Sequence, residues 1–123
     1  MWAIEFDPGT RVLTLRLTQH VGGMHLRALA RAHQNALAAT GGEPFRVLVD
    51  LRGLMPLDAE AALQLAELKR NGAAPSTFRG RIVLCDSATV AMQQRRTGLE
   101  DGTASQEVIT LDEREALLLL RSG

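Results

Sequence analysis

Tyrosine is absent from this chain, and only Trp2, Phe6, Phe45 and Phe78 carry aromatic rings. So few rings argue against a base-stacking platform or an aromatic cage. The core must be built mainly from aliphatic side chains. Cysteine occurs once, as Cys85, which excludes an internal disulfide and a cysteine-based zinc site and suits a reducing compartment. Net charge is lacking too, since 14 Lys and Arg balance 14 Asp and Glu. Nucleic-acid binding needs a basic surface to replace phosphate counterions, and polybasic membrane attachment needs clustered cations, so neither is expected. No apolar run approaches the roughly 20 residues of a membrane helix. The start, Met1-Trp2-Ala3-Ile4-Glu5-Phe6-Asp7, lacks the basic-then-apolar order of a signal peptide. The expectation is one cytoplasmic domain over residues 1–123, long enough to bury its own core.

What the chain does contain is a regular succession of strand and helix signals. Trp2–Phe6 and Val12–Leu17 alternate as half-buried strands do. Between them Asp7-Pro8-Gly9-Thr10 is a turn, with Pro8 presetting φ, so the two runs form a hairpin. Met24–Ala39 has helix-forming composition, with Leu26, Leu29, Ala30, His33, Ala36 and Leu37 on one stripe and Gly41-Gly42 as its stop. Phe45–Leu51 is apolar without alternation, the pattern of a central parallel strand covered on both faces. A helix from Asp58 to about Asn71 offers Ala61, Ala62, Leu65, Ala66 and Leu68 to the core, and Ala73–Gly80 reads as a linker. Arg81–Cys85 is a short strand, and Asp86 or Ser87 caps a helix from Ala88 to about Gly98. Leu99–Gln106 reads as an exposed loop, and Glu107–Thr110 as a last strand. A capping box between Thr110 and Glu113 opens a terminal helix running from Glu115 to Arg121. The resulting order, β-β-α-β-α-β-α-β-α, predicts an α/β domain: a mostly parallel sheet, an N-terminal antiparallel hairpin, and helices packed on the sheet.

The central stretch carries the functional expectations. Val47-Leu48-Val49-Asp50-Leu51 is a buried strand ending in Asp-Leu. Leu54-Met55-Pro56-Leu57 is a short loop, and Asp58 opens the next helix. This pattern and the element order resemble the STAS domain of anti-sigma-factor antagonists, in its divergent single-domain form. The topology covers essentially the whole chain, and the motif spans about Val47 to Leu63. In that family the motif aspartate is followed by a serine or threonine that a partner kinase phosphorylates, then by a second hydroxyl residue and a glycine. Here those positions hold Ala59, Glu60 and Ala61. Ala59 has no hydroxyl to accept phosphate. Glu60 carries about one negative charge, against roughly 1.5 to 2 for a phosphoserine, and is no reliable mimic. The resemblance therefore implies a non-catalytic regulatory or protein-interaction module without the phosphorylation switch. It would bind a regulatory kinase or other signalling protein through Asp50, Arg52, Asp58, Ala59, Glu60 and Gln64. The contact surface would be the loop Gly53–Asp58 and the exposed side of the following helix, including Glu67.

Each of these residues also has a plainer reading. Asp58 is a natural helix N-cap, and Asp50 with Arg52 forms either a ligand site at a strand end or a structural salt bridge. His20, His25 and His33 are not placed to converge on a metal. Cys85-Asp86-Ser87 lacks a histidine partner, so Cys85 reads as a small buried hydrophobe rather than a nucleophile. Gly22-Gly23 and Gly41-Gly42 are turns, not phosphate loops. Gln93, Gln94, Arg95 and Arg96 read as a solvated helix face with a weaker reading as an anion or partner contact. No acid/base pair or nucleophile dyad marks an enzyme, and no cofactor is implied. A carrier of a small apolar, lipid-like ligand held between sheet and helix is the alternative function. Self-association, through the N-terminal strands or the Leu-rich terminal helix, is compatible with either.

Overall fold

The hairpin that starts the chain closes because its turn is locally satisfied. In a computed structural model that describes residues 1–121, Asp7 Oδ1 accepts from the Gly9 amide at 2.8 Å, and the Arg11 amide donates to the Asp7 carbonyl. Strands β1 (Trp2–Asp7) and β2 (Val12–Leu17) pair antiparallel, with Trp2 opposite Leu17 and Phe6 opposite Leu13. Then follow α1 (Gly23–Ala39), β3 (Phe45–Asp50), α2 (Ala59–Ala73), β4 (Phe78–Leu84), α3 (Ala88–Asp101), a short 3-10 turn (Ala104–Gln106), β5 (Glu107–Thr110) and α4 (Glu113–Arg121). The sheet order is β1-β2-β3-β4-β5, and every pair after the hairpin is parallel. This is the α/β architecture that the alternation of patterns predicts.

Each parallel strand is added on the same side of its predecessor, so right-handed crossovers place α1, α2 and α3 on one face. On that face Leu13, Leu15, Leu17, Val47, Val49 and Val83 pack with Leu26, Leu29, Leu65 and Val90 in an aliphatic core. Among the described residues only α4 covers the other face, where Ala116, Leu119 and Leu120 meet Leu48, Ile82 and Leu84. Central β3 thus has partners on both sides, although Leu48 is only half-buried.

Several predicted boundaries shift, two of them for a shared reason. Two glycines that look like helix stops lie inside helices at points of close approach. Gly72 sits within α2 where a Cβ would come 3.1 Å from His33 Nε2 of α1, and Gly98 sits within α3 where a Cβ would come 2.8 Å from Glu107 Oε1. α2 therefore runs to Ala73. α3 takes in Leu99–Asp101, expected to be loop, and stops at Gly102, whose φ of 77° is left-handed. β4 begins at Phe78, ahead of Arg81, with a register shift between Phe45 and Val47 that absorbs Gly80. The expected Thr110–Glu113 capping box is replaced by Asp112, whose Oδ1 accepts from the Arg114 amide while Thr110 Oγ1 accepts from the Asp112 amide. Glu113 is thereby free of the cap and reaches Arg52.

Candidate functional site

The C-terminal ends of the parallel strands carry the loop Leu51–Asp58, and its backbone is held from β4, α3 and the turns after β2 and β4. Gln19, after β2, donates its amide to the Gly53 carbonyl at 2.8 Å and accepts from the Met55 amide at 2.9 Å. Asp86, after β4, accepts the Gly53 amide through both carboxylate oxygens at 3.1 and 2.9 Å. Gln93 of α3 grips Leu57 twice, accepting from its amide at 3.0 Å and donating to its carbonyl at 2.8 Å. The Leu51 amide donates to the Leu84 carbonyl of β4. Asp58 closes the loop as the N-cap of α2, its Oδ1 accepting from the Ala61 amide at 2.8 Å, which contributes about 1 kcal/mol. A loop satisfied this completely has little freedom to rearrange.

Leu51, Leu54 and Leu57 point inward and are buried, while Met55 is 59 % exposed and Pro56 is exposed beside it. Leu63 on α2 is 68 % exposed, and Met92, adjacent to the loop-gripping Gln93, is 63 % exposed. Burying such side chains against a partner releases roughly 25 cal/mol per Å² of apolar area. The backbone is fixed, and these apolar side chains face outward from it.

The charged residues expected here fall into two groups. Asp50 is only 2 % exposed. Its Oδ1 accepts from the Arg52 amide and Nε at 3.2 and 3.0 Å, and its Oδ2 from Arg52 Nη2 at 2.8 Å and Arg16 Nε at 3.2 Å. Burial alone would push this carboxyl up, but the Arg52 hydrogen bonds and charge, aided by Arg16, hold it below the usual carboxylate range. Asp50 is thus the anchor that orients Arg52, whose Nη1 reaches Glu113 of α4 at 3.3 Å. Glu60 is exposed but tied to its neighbours, meeting Gln64 Nε2 at 3.2 Å and Arg27 Nη1 of α1 at 3.5 Å. Ala59 is exposed as the first residue of α2.

No protein-family model matches the chain, and no curated protein matches it.

The remaining candidates separate cleanly. Cys85 is buried, and burial, with Asp86 nearby, pushes its thiol up to about 11, so it is no nucleophile at neutral pH. No group of three or more His, Cys, Asp or Glu side chains forms a metal site among the described residues. His25 Nδ1 instead accepts from the Gly22 amide at the start of α1. Arg95 and Arg96 are solvated as expected, whereas Gln93 and Gln94 are not, Gln94 being fully buried. Between the sheet and α1 and α2, the cleft lined by Leu15, Val47, Val49, Leu68 and Phe78 has about 10 Å³ of space, room for one water, whereas the cleft beside α4 lined by Phe78, Ile82, Val108 and Leu119 has about 480 Å³. No helix among the described residues is long and apolar enough to cross a membrane.

Sequence reading missed a buried charged cluster beneath α2 and α3. Glu107 Oε2 of β5 receives Lys69 Nζ at 2.8 Å and Arg81 Nε at 2.6 Å. Lys69 also donates to Gln94 Oε1 at 3.1 Å, and Arg81 donates to the Lys69 carbonyl and to Thr103 Oγ1. All five side chains belong to different elements or turns. A hint did exist: in the alternation of Arg81-Ile82-Val83-Leu84-Cys85, Arg81 shares the face of Val83 and Cys85, an inward position for a cation.

Proposed function

We propose that this chain is a non-catalytic protein-interaction module, similar in fold to the STAS domain, that captures a signalling protein through a preformed surface. That surface comprises the loop Gly53–Asp58 and the exposed side of α2. The carrying observation is the loop itself: its backbone is hydrogen-bonded from β2's end, β4 and its following turn, and α3, while Met55 and Leu63 remain exposed. A preorganised loop gives up little conformational entropy on binding, so apolar contacts at its tip convert more fully into affinity. Within this reading Asp50 and Arg52 position the loop, Asp58 caps the helix, and Ala59 leaves the surface without a phosphate switch. Met55 and Leu63 supply the apolar anchors, with Glu60 and Gln64 as polar rim.

The test compares the native chain with Met55→Asp/Leu63→Asp as bait in the producing cell, followed by identification of bound proteins. The double variant should fold normally, because both side chains are exposed, and should lose the specific partner by tenfold or more, as about 1.4 kcal/mol per decade implies. Equal recovery of the same partner by a folded double variant would overturn the proposal. The charge-reversal pair Asp58→Lys/Glu60→Lys is a weaker probe, because it removes the α2 cap and the contact to Arg27.

A further inference from the structure

The outer edge of β1 is open among the described residues. Met1 and Thr18 exchange both backbone hydrogen bonds, at 3.1 and 3.0 Å. Bonded and non-bonded pairs alternate along an antiparallel ladder, so Ala3, Glu5 and Asp7 also face β2. The N–H and C=O groups of Trp2, Ile4 and Phe6 are left pointing outward. Among the described residues no other element bonds to that side: β1 pairs with β2 alone at the end of the sheet. Natural edges are usually blunted by shortness, proline, lysine or a bulge. The opposite edge, β5, is only four residues long, whereas β1 has six residues in unbroken register and neither proline nor lysine.

We infer that two copies of this chain pair antiparallel through β1, with the two-fold axis at Ile4, to make one continuous sheet. The number of bonds selects the register. An axis at Ala3 or Glu5 would make the centre a non-bonded pair and join only two of the three outward-facing residues, for about four bonds. The Glu5 axis would also set two carboxylates opposite each other, and an axis at Trp2 or Phe6 would leave part of the strand unpaired. At Ile4, Trp2 lies opposite Phe6 of the second copy, Ile4 opposite Ile4, and about six inter-chain hydrogen bonds form. Trp2, Ile4 and Phe6 share the helix-covered face and are half-buried against the core, so pairing buries what the edge leaves exposed. Aromatic cross-strand pairs of this type stabilise sheets. Phe6 is already held in place by the Arg11 guanidinium, 4.9 Å from its ring centre.

The charges on the other face are complementary in the same register. Glu5 lies opposite Ala3 of the second copy, whose neighbour in its own sheet is Arg16. Glu5 and that Arg16 are two strand spacings apart, about 10 Å between Cα atoms, with only an alanine methyl between them. Both are exposed, and since Arg16 Nε is held by Asp50 of β3 at 3.2 Å, the complementarity is one of opposite charges across the seam, repeated twice by symmetry. No two carboxylates stand directly opposite.

The test is light scattering across a concentration series of the full chain, with Ile4→Pro as the variant. The native chain should reach twice its 13.3 kDa mass as concentration rises. Ile4→Pro removes an N–H that β2 does not use, a position where edge strands tolerate proline, and should return the mass to that of the monomer with an unchanged circular dichroism spectrum. Should that variant fail to fold, Ile4→Cys decides the matter. The axis brings the two Cα atoms to about 5.5 Å, within disulfide reach, so mild oxidation should give a covalent dimer, while Glu5→Cys should not. A native chain that stays monomeric at every concentration, a dimer that survives a folded Ile4→Pro, or equal cross-linking from positions 4 and 5 would overturn the inference.

Discussion

Replacing Glu107 by alanine is expected to cost about 3–5 kcal/mol of folding stability, the penalty for breaking a buried ion pair from one side. Its Oε2 is shared by Lys69 Nζ and Arg81 Nε at 2.8 and 2.6 Å, and all three side chains are essentially inaccessible. Removing the carboxylate strips this partner from two buried cations at once. It also opens space beside Gly98, the residue whose missing side chain admits Glu107 Oε1. Against a total stability of roughly 5–15 kcal/mol for a domain of this kind, such a loss moves the urea midpoint far to the left. Chemical denaturation of the purified variant measures it directly. A loss under about 1 kcal/mol, the range of exposed pairs, would mean that water reaches the cluster and that α3 does not seal it.

Acid should weaken the fold through His33 as pH falls below 6.5. This imidazole is 3 % exposed and packed against Gly72, and burial pushes its pKa down from 6.5 to about 4. The unfolded chain takes up the proton below 6.5, whereas the folded chain resists until about 4. Stability is therefore complete above pH 6.5 and declines as pH falls toward 4, by about 3 kcal/mol at 1.36 kcal/mol per unit. Asp50 acts in a separate window: its lowered pKa adds stability above its ordinary value of 3.8 and loses it only as pH falls below that. Urea midpoints between pH 7 and pH 4 should slope downward in the native chain and flatten in His33→Leu. An identical slope in both would assign the acid sensitivity to another group.

The strands and helices were legible because local signals and tertiary packing agree there. The alternating Val12–Leu17 pairs where its period demands, and the unbroken Val47-Leu48-Val49 run lies at the sheet centre. Gly72 and Gly98 misled for a physical reason. Glycine serves equally as a helix stop or as a gap for a neighbouring side chain, and only the positions of His33 and Glu107 tell which. The same holds at the candidate site. Asp58 as an N-cap follows from its place before an apolar helix, and it caps α2. That Asp86 and Gln93 hold the Gly53–Leu57 loop depends on which elements become neighbours, as does the meeting of Lys69, Arg81 and Glu107. Spacing along the chain does not encode such contacts.

The proposed role stands or falls on whether the Met55 tip touches a protein in the cell. Site-specific photo-crosslinking measures this, with a photoreactive residue placed at position 55 and, as control, at Leu118, which is exposed on α4 across the sheet. A partner-capturing loop predicts a discrete adduct to another protein from position 55 and none from 118. Adducts from 118 alone, or from neither position, would contradict it.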